Sequence, residues 1–231
     1  VVTTFHALAI ISTVFRLIYR TRVRRLGLDD LFAGFSLCFL FVCLVCIWVR
    51  TDTPGPLNQP HRARLIAYWL LTFDFTCCLW SVRLSIIFSI MRVMPPMMNI
   101  RRVTQWFSVL FVLMWMALIV QKAVHCTLDI SWQKQAEPQC HLGRAIGITE
   151  LSADFVSDVV LVVLPLRLMW NLQLPTRQRR LLIALFSASM IITLISIVHA
   201  VFVIGPAGFL EAMSANIQIA ASLMVCNLAV V

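Results

Sequence analysis

Residues Leu31 to Val49 read LFAGFSLCFLFVCLVCIWV, nineteen consecutive positions without a charged side chain. At 1.5 Å of rise per residue, a helix of that length covers roughly 30 Å, the hydrocarbon thickness of a bilayer. A surface helix of a soluble protein needs a polar face, and this stretch has none. In hydrocarbon no water satisfies the backbone amides, so the segment reads as a membrane-spanning helix. Asp29 and Asp30 stand just before it, where carboxylates cap a helix start and favour its dipole.

The same reading repeats on both sides of that stretch. Apolar runs cover Val1 to about Ile18, Leu65 to Met91, Val103 to Val124, Ala145 to Leu166, Leu181 to Ile204 and Phe209 to Val231. Turn-forming residues separate them: Thr53-Pro54-Gly55-Pro56, Pro95-Pro96, Pro138, Pro175 and Gly205-Pro206-Ala207-Gly208. Seven spans with short connectors use up the 231 residues, so residues 1–231 are expected to form one seven-helix transmembrane domain. Composition agrees: 61% of residues are hydrophobic, 13% are charged and the mean hydropathy is +0.91. The run at residue 1 has no initiator Met and no basic leader before it. The chain therefore reads as a core with truncated termini and no signal peptide.

A net charge of +9 would suggest nucleic acid in a soluble protein. Here the basic residues are read as membrane-border arginines, so no nucleic-acid partner is expected. Of 19 basic residues only Lys122 and Lys134 are lysines. Arg16, Arg20, Arg22, Arg24, Arg25, Arg92, Arg101, Arg102, Arg167, Arg177, Arg179 and Arg180 border one side of the seven spans. The other side has Arg50, Arg62, Arg64, Lys122, Lys134 and Arg144. The richer side is expected to be cytoplasmic, which puts the N-terminus outside and the C-terminus inside, a receptor-like topology.

Four stretches, in order, resemble the fungal rhodopsin-domain integral membrane proteins, a receptor-like family that includes the Pth-type group. Arg16-x3-Arg20 followed by Leu26-Gly27-Leu28-Asp29-Asp30 is similar to that family's first cytoplasmic loop. Arg83-Leu84-Ser85-Ile86-Ile87 resembles the end of its third helix, and Cys126-x5-Trp132-x7-Cys140 its cysteine-bounded outer loop. Asp154-x3-Asp158-x6-Pro165-Leu166 resembles its acidic fifth helix, ending in Pro. The resemblance spans nearly the whole chain. It implies a fungal seven-helix membrane protein, often discussed as a receptor; the extracellular cysteine-rich module of some members is absent from this sequence. Retinal attachment is not expected, because a Schiff base needs a lysine in the seventh helix and Phe209 to Val231 contains none. No cofactor is assigned.

Charges inside spanning helices are costly and so mark candidate sites. Glu150, Asp154 and Asp158 recur every four residues, on one stripe of the fifth helix. Arg83 lies nine residues above Arg92, and Asp158 nine above Arg167, so the two stand at one depth. A guanidinium cannot shed its proton, and two and a half turns is a long way to snorkel. Arg83 is therefore expected to pair with Asp158, with Asp154 one turn away as a second acceptor.

The same counting places Asp74, Gln121, Glu150 and His199 in a layer nearer the outside, with Glu211 close by. With Asp154 they form a candidate ligand or ion pocket. The plainer reading is that they make structural hydrogen bonds between helices or reach the headgroups, and Lys122 and Glu211 are expected to snorkel. Cys126 and Cys140 bracket a loop on the oxidising side, where a disulfide is expected. His125 and His141 flank them, which leaves a zinc site open as an alternative; no metal is assigned. Cys38, Cys43, Cys46, Cys77, Cys78 and Cys226 lie in hydrocarbon and read as packing residues.

No enzyme motif is present in the sequence: no His-Glu-x-x-His, no Gly-x-Ser-x-Gly and no glycine-rich phosphate loop. An embedded hydrolase built on His199 and a carboxylate would be the exception. Three functions compete: a plasma-membrane sensor of an extracellular ligand that signals to a cytoplasmic protein, a proton- or ion-coupled transporter using the acidic face of helix five, and a membrane scaffold. Against the transporter, no repeated half and no paired broken helices are seen.

Overall fold

The computed structural model describes residues 2–24, 26–50, 60–93, 99–128, 131–134, 140, 143–171, 176–204 and 208–228. They form seven helices: α1 (Val2–Arg22), α2 (Leu28–Arg50), α3 (His61–Val93), α4 (Asn99–Leu128), α5 (Gly143–Asn171), α6 (Thr176–Ile204) and α7 (Gly208–Leu228). A short 3-10 turn, Ser131–Lys134, lies between α4 and α5. The expected seven spans are all present, each within a few residues of its expected ends.

Local chemistry sets several of the ends. Gly27 is the N-cap of α2: its carbonyl accepts from Asp30 N at 3.1 Å and Leu31 N at 3.2 Å. Asp30 Oδ2 reaches back to accept from Gly27 N at 3.2 Å, half of a capping box. At the end of α1, Arg24 takes a left-handed conformation (φ 52°) and donates its N–H to Thr21 O. The resemblance implies a fifth helix ending at Pro165-Leu166, but α5 continues to Asn171. A proline removes one ladder hydrogen bond, a loss that neighbouring helices can offset in a membrane bundle.

Each helix packs on the next in the chain, α7 closes on α1, and α3 also reaches α5 and α7. The third helix is consequently the axis of the bundle: Cys78 through Ile87 are all buried. Elsewhere the usual inside-out distribution is reversed. On α1 the buried positions are His6, Ala9, Thr13 and Arg16, while Leu8, Ile11, Phe15 and Ile18 face outward. On α4 the exposed side includes Trp106, Leu113 and Val120. Small and polar groups inside with large apolar groups outside is the pattern of helices packed in lipid. Among the described residues, α1, α2, α3 and α4 are each long and apolar enough to cross a membrane. The protein is an all-helical, seven-helix integral membrane protein in contact with the lipid bilayer.

Candidate functional site: a polar column along the third helix

Three groups of polar residues line α3 from one end of the bundle to the other. The first lies at the arginine-rich end. Arg16 of α1 donates to Asp30 Oδ1 at 3.2 Å and to Asp29 Oδ2 at 3.4 Å. Arg20 approaches the same carboxylates at 3.6 and 3.8 Å, and Arg92 of α3 reaches Asp29 Oδ1 at 3.2 Å. Ser85 donates to the Asp29 carbonyl at 2.6 Å and Ser89 to its Oδ2 at 3.3 Å. Arg16 also donates to the carbonyl of Cys226 in α7 at 2.8 Å.

The ends of α1, α2, α3 and α7 are thus held by one ionic network around two aspartates. Asp30 keeps its expected capping role, but Asp29 and Asp30 do more than cap. Arg16, with 3% of its surface exposed, is not the membrane-border residue its position suggested. A Cβ at Gly27 would collide with Asp29 Oδ1 and stand 3.2 Å from Arg92 Nη1, so a larger residue there must displace the carboxylate from its arginines.

The second group is at mid-bundle. The Arg83 guanidinium, 4% exposed, lies 3.3 Å from Asp158 through Nη2 and 2.9 Å from Asp154 through Nη1. Its Nε donates to Asp158 Oδ1 at 3.4 Å, and the Trp80 ring lies 5.4 Å from its central carbon. The Asp154 contact is an ion pair without hydrogen-bond alignment, whereas Asp158 accepts from Arg83 and also from Thr193 of α6 at 3.0 Å. The structure therefore brings Arg83 and Asp158 together as their matching depth suggested, with Asp154 as the closer ionic partner. One guanidinium links α3 to α5, and through Asp158 to α6.

The third group is in the half of the bundle away from the arginine-rich end. Phe75, Gly147, Glu150, Asp154, Ser196 and His199 line a small cavity between α3, α5 and α6, with room for about one water molecule. His199 Nδ1 lies 2.8 Å from Ser214 Oγ of α7, and its ring packs 5.2 Å from that of Phe75. Gln218 of α7 donates to Ser196 Oγ at 2.7 Å.

Lys122 does not snorkel. The residue is 2% exposed, and its ammonium donates at 2.7 Å to both Glu150 Oε1 and Thr76 Oγ1, with the Phe75 ring 5.5 Å away. The reason is the length of α4, which runs on to Leu128 and leaves Lys122 well inside the helix. Glu211 lies on α7, but its side chain is outside the described residues.

The five expected pocket residues do not share one chamber. Glu150, Asp154 and His199 line the cavity. Gln121 instead accepts from Thr149 at 3.2 Å on the α4–α5 contact. Asp74, 4% exposed, faces the α2 side of α3, within electrostatic reach of Cys43 and Cys46. Its Oδ2 is buried without a hydrogen-bond donor. Asp74 and Thr76 are two residues apart on a helix, a rotation of about 200°, so they point to opposite sides.

Beyond the cavity, Cys126 and Cys140 form a disulfide with Cα atoms 5.9 Å apart. That bond consumes both thiols, so the zinc alternative with His125 and His141 has lost its sulfur ligands; His141 is outside the described residues. Trp132 donates from Nε1 to Cys126 O at 3.1 Å and packs on Tyr68 and Trp69 at 5.1 and 5.7 Å. Tyr68 donates to Cys140 O at 2.8 Å. The loop is anchored to the start of α3, next to the element that carries the other three groups. Free cysteines are not all inert packing: Cys226 donates to Ser85 Oγ at 3.2 Å, and Cys43 to Asn216 Oδ1 at 3.6 Å. Cys38 is exposed.

Sequence spacing alone did not reveal the Arg16–Asp29–Arg92 network. The signal available was the pairing of two aspartates with flanking arginines at the same end of three helices. Comparison with known proteins finds a match to the family model described as the fungal rhodopsin domain, over residues 15–229. Neither a curated protein nor a solved structure matches the chain. The family match begins at the last turns of α1 and runs to the end of α7, taking in the whole polar column along α3. On that basis the chain belongs to the fungal rhodopsin domain family.

Proposed function

We propose that this protein is a receptor-like membrane protein of the plasma membrane that senses an extracellular ligand, with its N-terminus outside and its C-terminus cytoplasmic. It carries no retinal and performs no catalytic step. The arginine-rich end faces the cytoplasm by the positive-inside rule, which turns the cavity and the disulfide-anchored loop outward.

One observation carries this reading: α3 joins all three polar groups. Asp154 is at once a wall of the cavity and an ionic partner of Arg83, 2.9 Å away. Arg83 is held in turn by Asp158. Two residues beyond Arg83, Ser85 is bonded to Asp29, within the network that clamps four helix ends. A ligand that changes the charge balance at Asp154 acts on Arg83, and a shift of α3 is felt at the cytoplasmic network. Receptor action needs two distinct sites biasing one bistable element, and α3 is the natural candidate.

The test is ligand-dependent recruitment. Small molecules that raise the unfolding temperature of the protein in nanodiscs would be applied to cells carrying a C-terminal proximity-labelling enzyme. A sensor changes the set of labelled cytoplasmic proteins when such a molecule is added. Unchanged labelling with a bound molecule, or net flux of it into proteoliposomes, would remove the receptor reading and favour a carrier built on the acidic face of α5.

A further inference from the structure

We propose that the cavity between α3, α5 and α6 binds a small monovalent cation, an alkali ion or a primary ammonium group. This names the ligand class of the site on which the receptor reading rests. Charge balance is the first ground. The charges acting on Asp154 are those of Arg83, Glu150, Asp158 and Lys122. Three carboxylates meet two cations, Arg83 and Lys122, so one carboxylate of the group is left to be balanced by a proton or by a small cation.

Placement is the second ground. Asp154 is 95% buried and lines the cavity, and its Oδ1, 2.9 Å from Arg83 Nη1, receives no aligned hydrogen bond. The third is the rest of the lining. Ser196 and His199 add further polar groups, and Phe75 supplies an aromatic ring of the kind that attracts cations. The ring already serves Lys122 in this way, at 5.5 Å.

Size selects within the class. The cavity has room for about one water molecule or an ion of that size, so a bulky organic cation is excluded. An entering cation competes with Arg83 for Asp154, leaving the guanidinium to Asp158. Occupancy is thereby coupled to the lock between α3 and α5.

The experiment is thermal unfolding of the whole chain in nanodiscs of neutral lipid, titrated with sodium chloride, methylammonium chloride or N-methylglucamine chloride at matched ionic strength. The expected result is a saturable rise of a few °C in the midpoint with one or both of the small cations, and none with N-methylglucamine. The sodium and methylammonium arms separate an inorganic ion from an amine. Gly147→Leu fills the cavity without changing the charge of its lining and should abolish the rise. If Gly147→Leu fails to fold, Ser196→Ala should raise the half-saturating concentration several-fold. Equal effects of all three salts, or a saturable rise unchanged by the variant that folds, would overturn the proposal. Cation binding without any ligand-dependent recruitment would leave this site standing while the receptor reading fell.

Discussion

Replacing Arg83 by Gln should damage the bundle more than replacing either of its carboxylate partners, and the structure says by how much. In the native state the guanidinium serves Asp154 at 2.9 Å and Asp158 at 3.3 Å, all three buried. Arg83→Gln strands two carboxylates, and stranding even one buried charge costs about 3–5 kcal/mol. Asp158→Asn is milder. Arg83 keeps Asp154, and the new amide oxygen still accepts from Thr193. The loss is then the charge assistance of two long hydrogen bonds, from Arg83 Nε and Nη2, together about 1.5–3 kcal/mol. The double variant removes a cation and an anion together, so its cost should fall short of the sum by about 1–3 kcal/mol. A double-mutant cycle on purified protein, unfolded by denaturing detergent from nanodiscs, measures all three terms. Additivity within about 0.5 kcal/mol would refute the contact. Asp158→Asn as costly as Arg83→Gln would refute the role of Asp154 as second partner.

Other substitutions probe the remaining groups. Breaking the Cys126–Cys140 bond in the double Cys→Ser variant should cost about 3 kcal/mol, less any relieved strain, as read from the same unfolding curves. Mass spectrometry of the inserted native protein should find both thiols bonded, and free thiols would contradict it. Gly27→Ala should destabilise by about 1–3 kcal/mol, because its Cβ meets Asp29 and Arg92, whereas Gly34→Ala meets nothing and should be neutral or mildly favourable. Asp74→Asn removes a charge whose Oδ2 has no donor and should leave surface expression intact, while Asp29→Asn, which weakens contacts to three arginines, should reduce it.

Depth was legible in the sequence; direction around each helix was not. Counting residues from the arginine-rich ends set Arg83 and Asp158 at one level because α3 and α5 run the same way through the bundle, and the two do meet. The same count set Asp74 beside Glu150, yet they lie on different sides of α3. A uniformly apolar helix offers no stripe from which its facing can be read. Lys122 was misplaced for a related reason. Its ammonium looked terminal because the apolar run ends near it, but the helix continues through polar His125 and Thr127 to Leu128. The Asp29 network depends on α7 closing against α1, a contact between residues more than two hundred positions apart that no local spacing encodes. Cys126 and Cys140, by contrast, flank one short loop, and a loop closure that local is readable from spacing.

Which way the cavity faces is tested directly by impermeant thiol labelling on intact cells. Native cysteines give little background: Cys126 and Cys140 are bonded, and the other six lie on spanning helices. A cysteine introduced at Gln59, in the α2–α3 connection, should be labelled, and one at Gln178, at the start of α6, should be labelled only after the cells are opened. The reverse pattern would put the cavity and the disulfide-anchored loop in the cytoplasm, and the receptor-like topology would be contradicted.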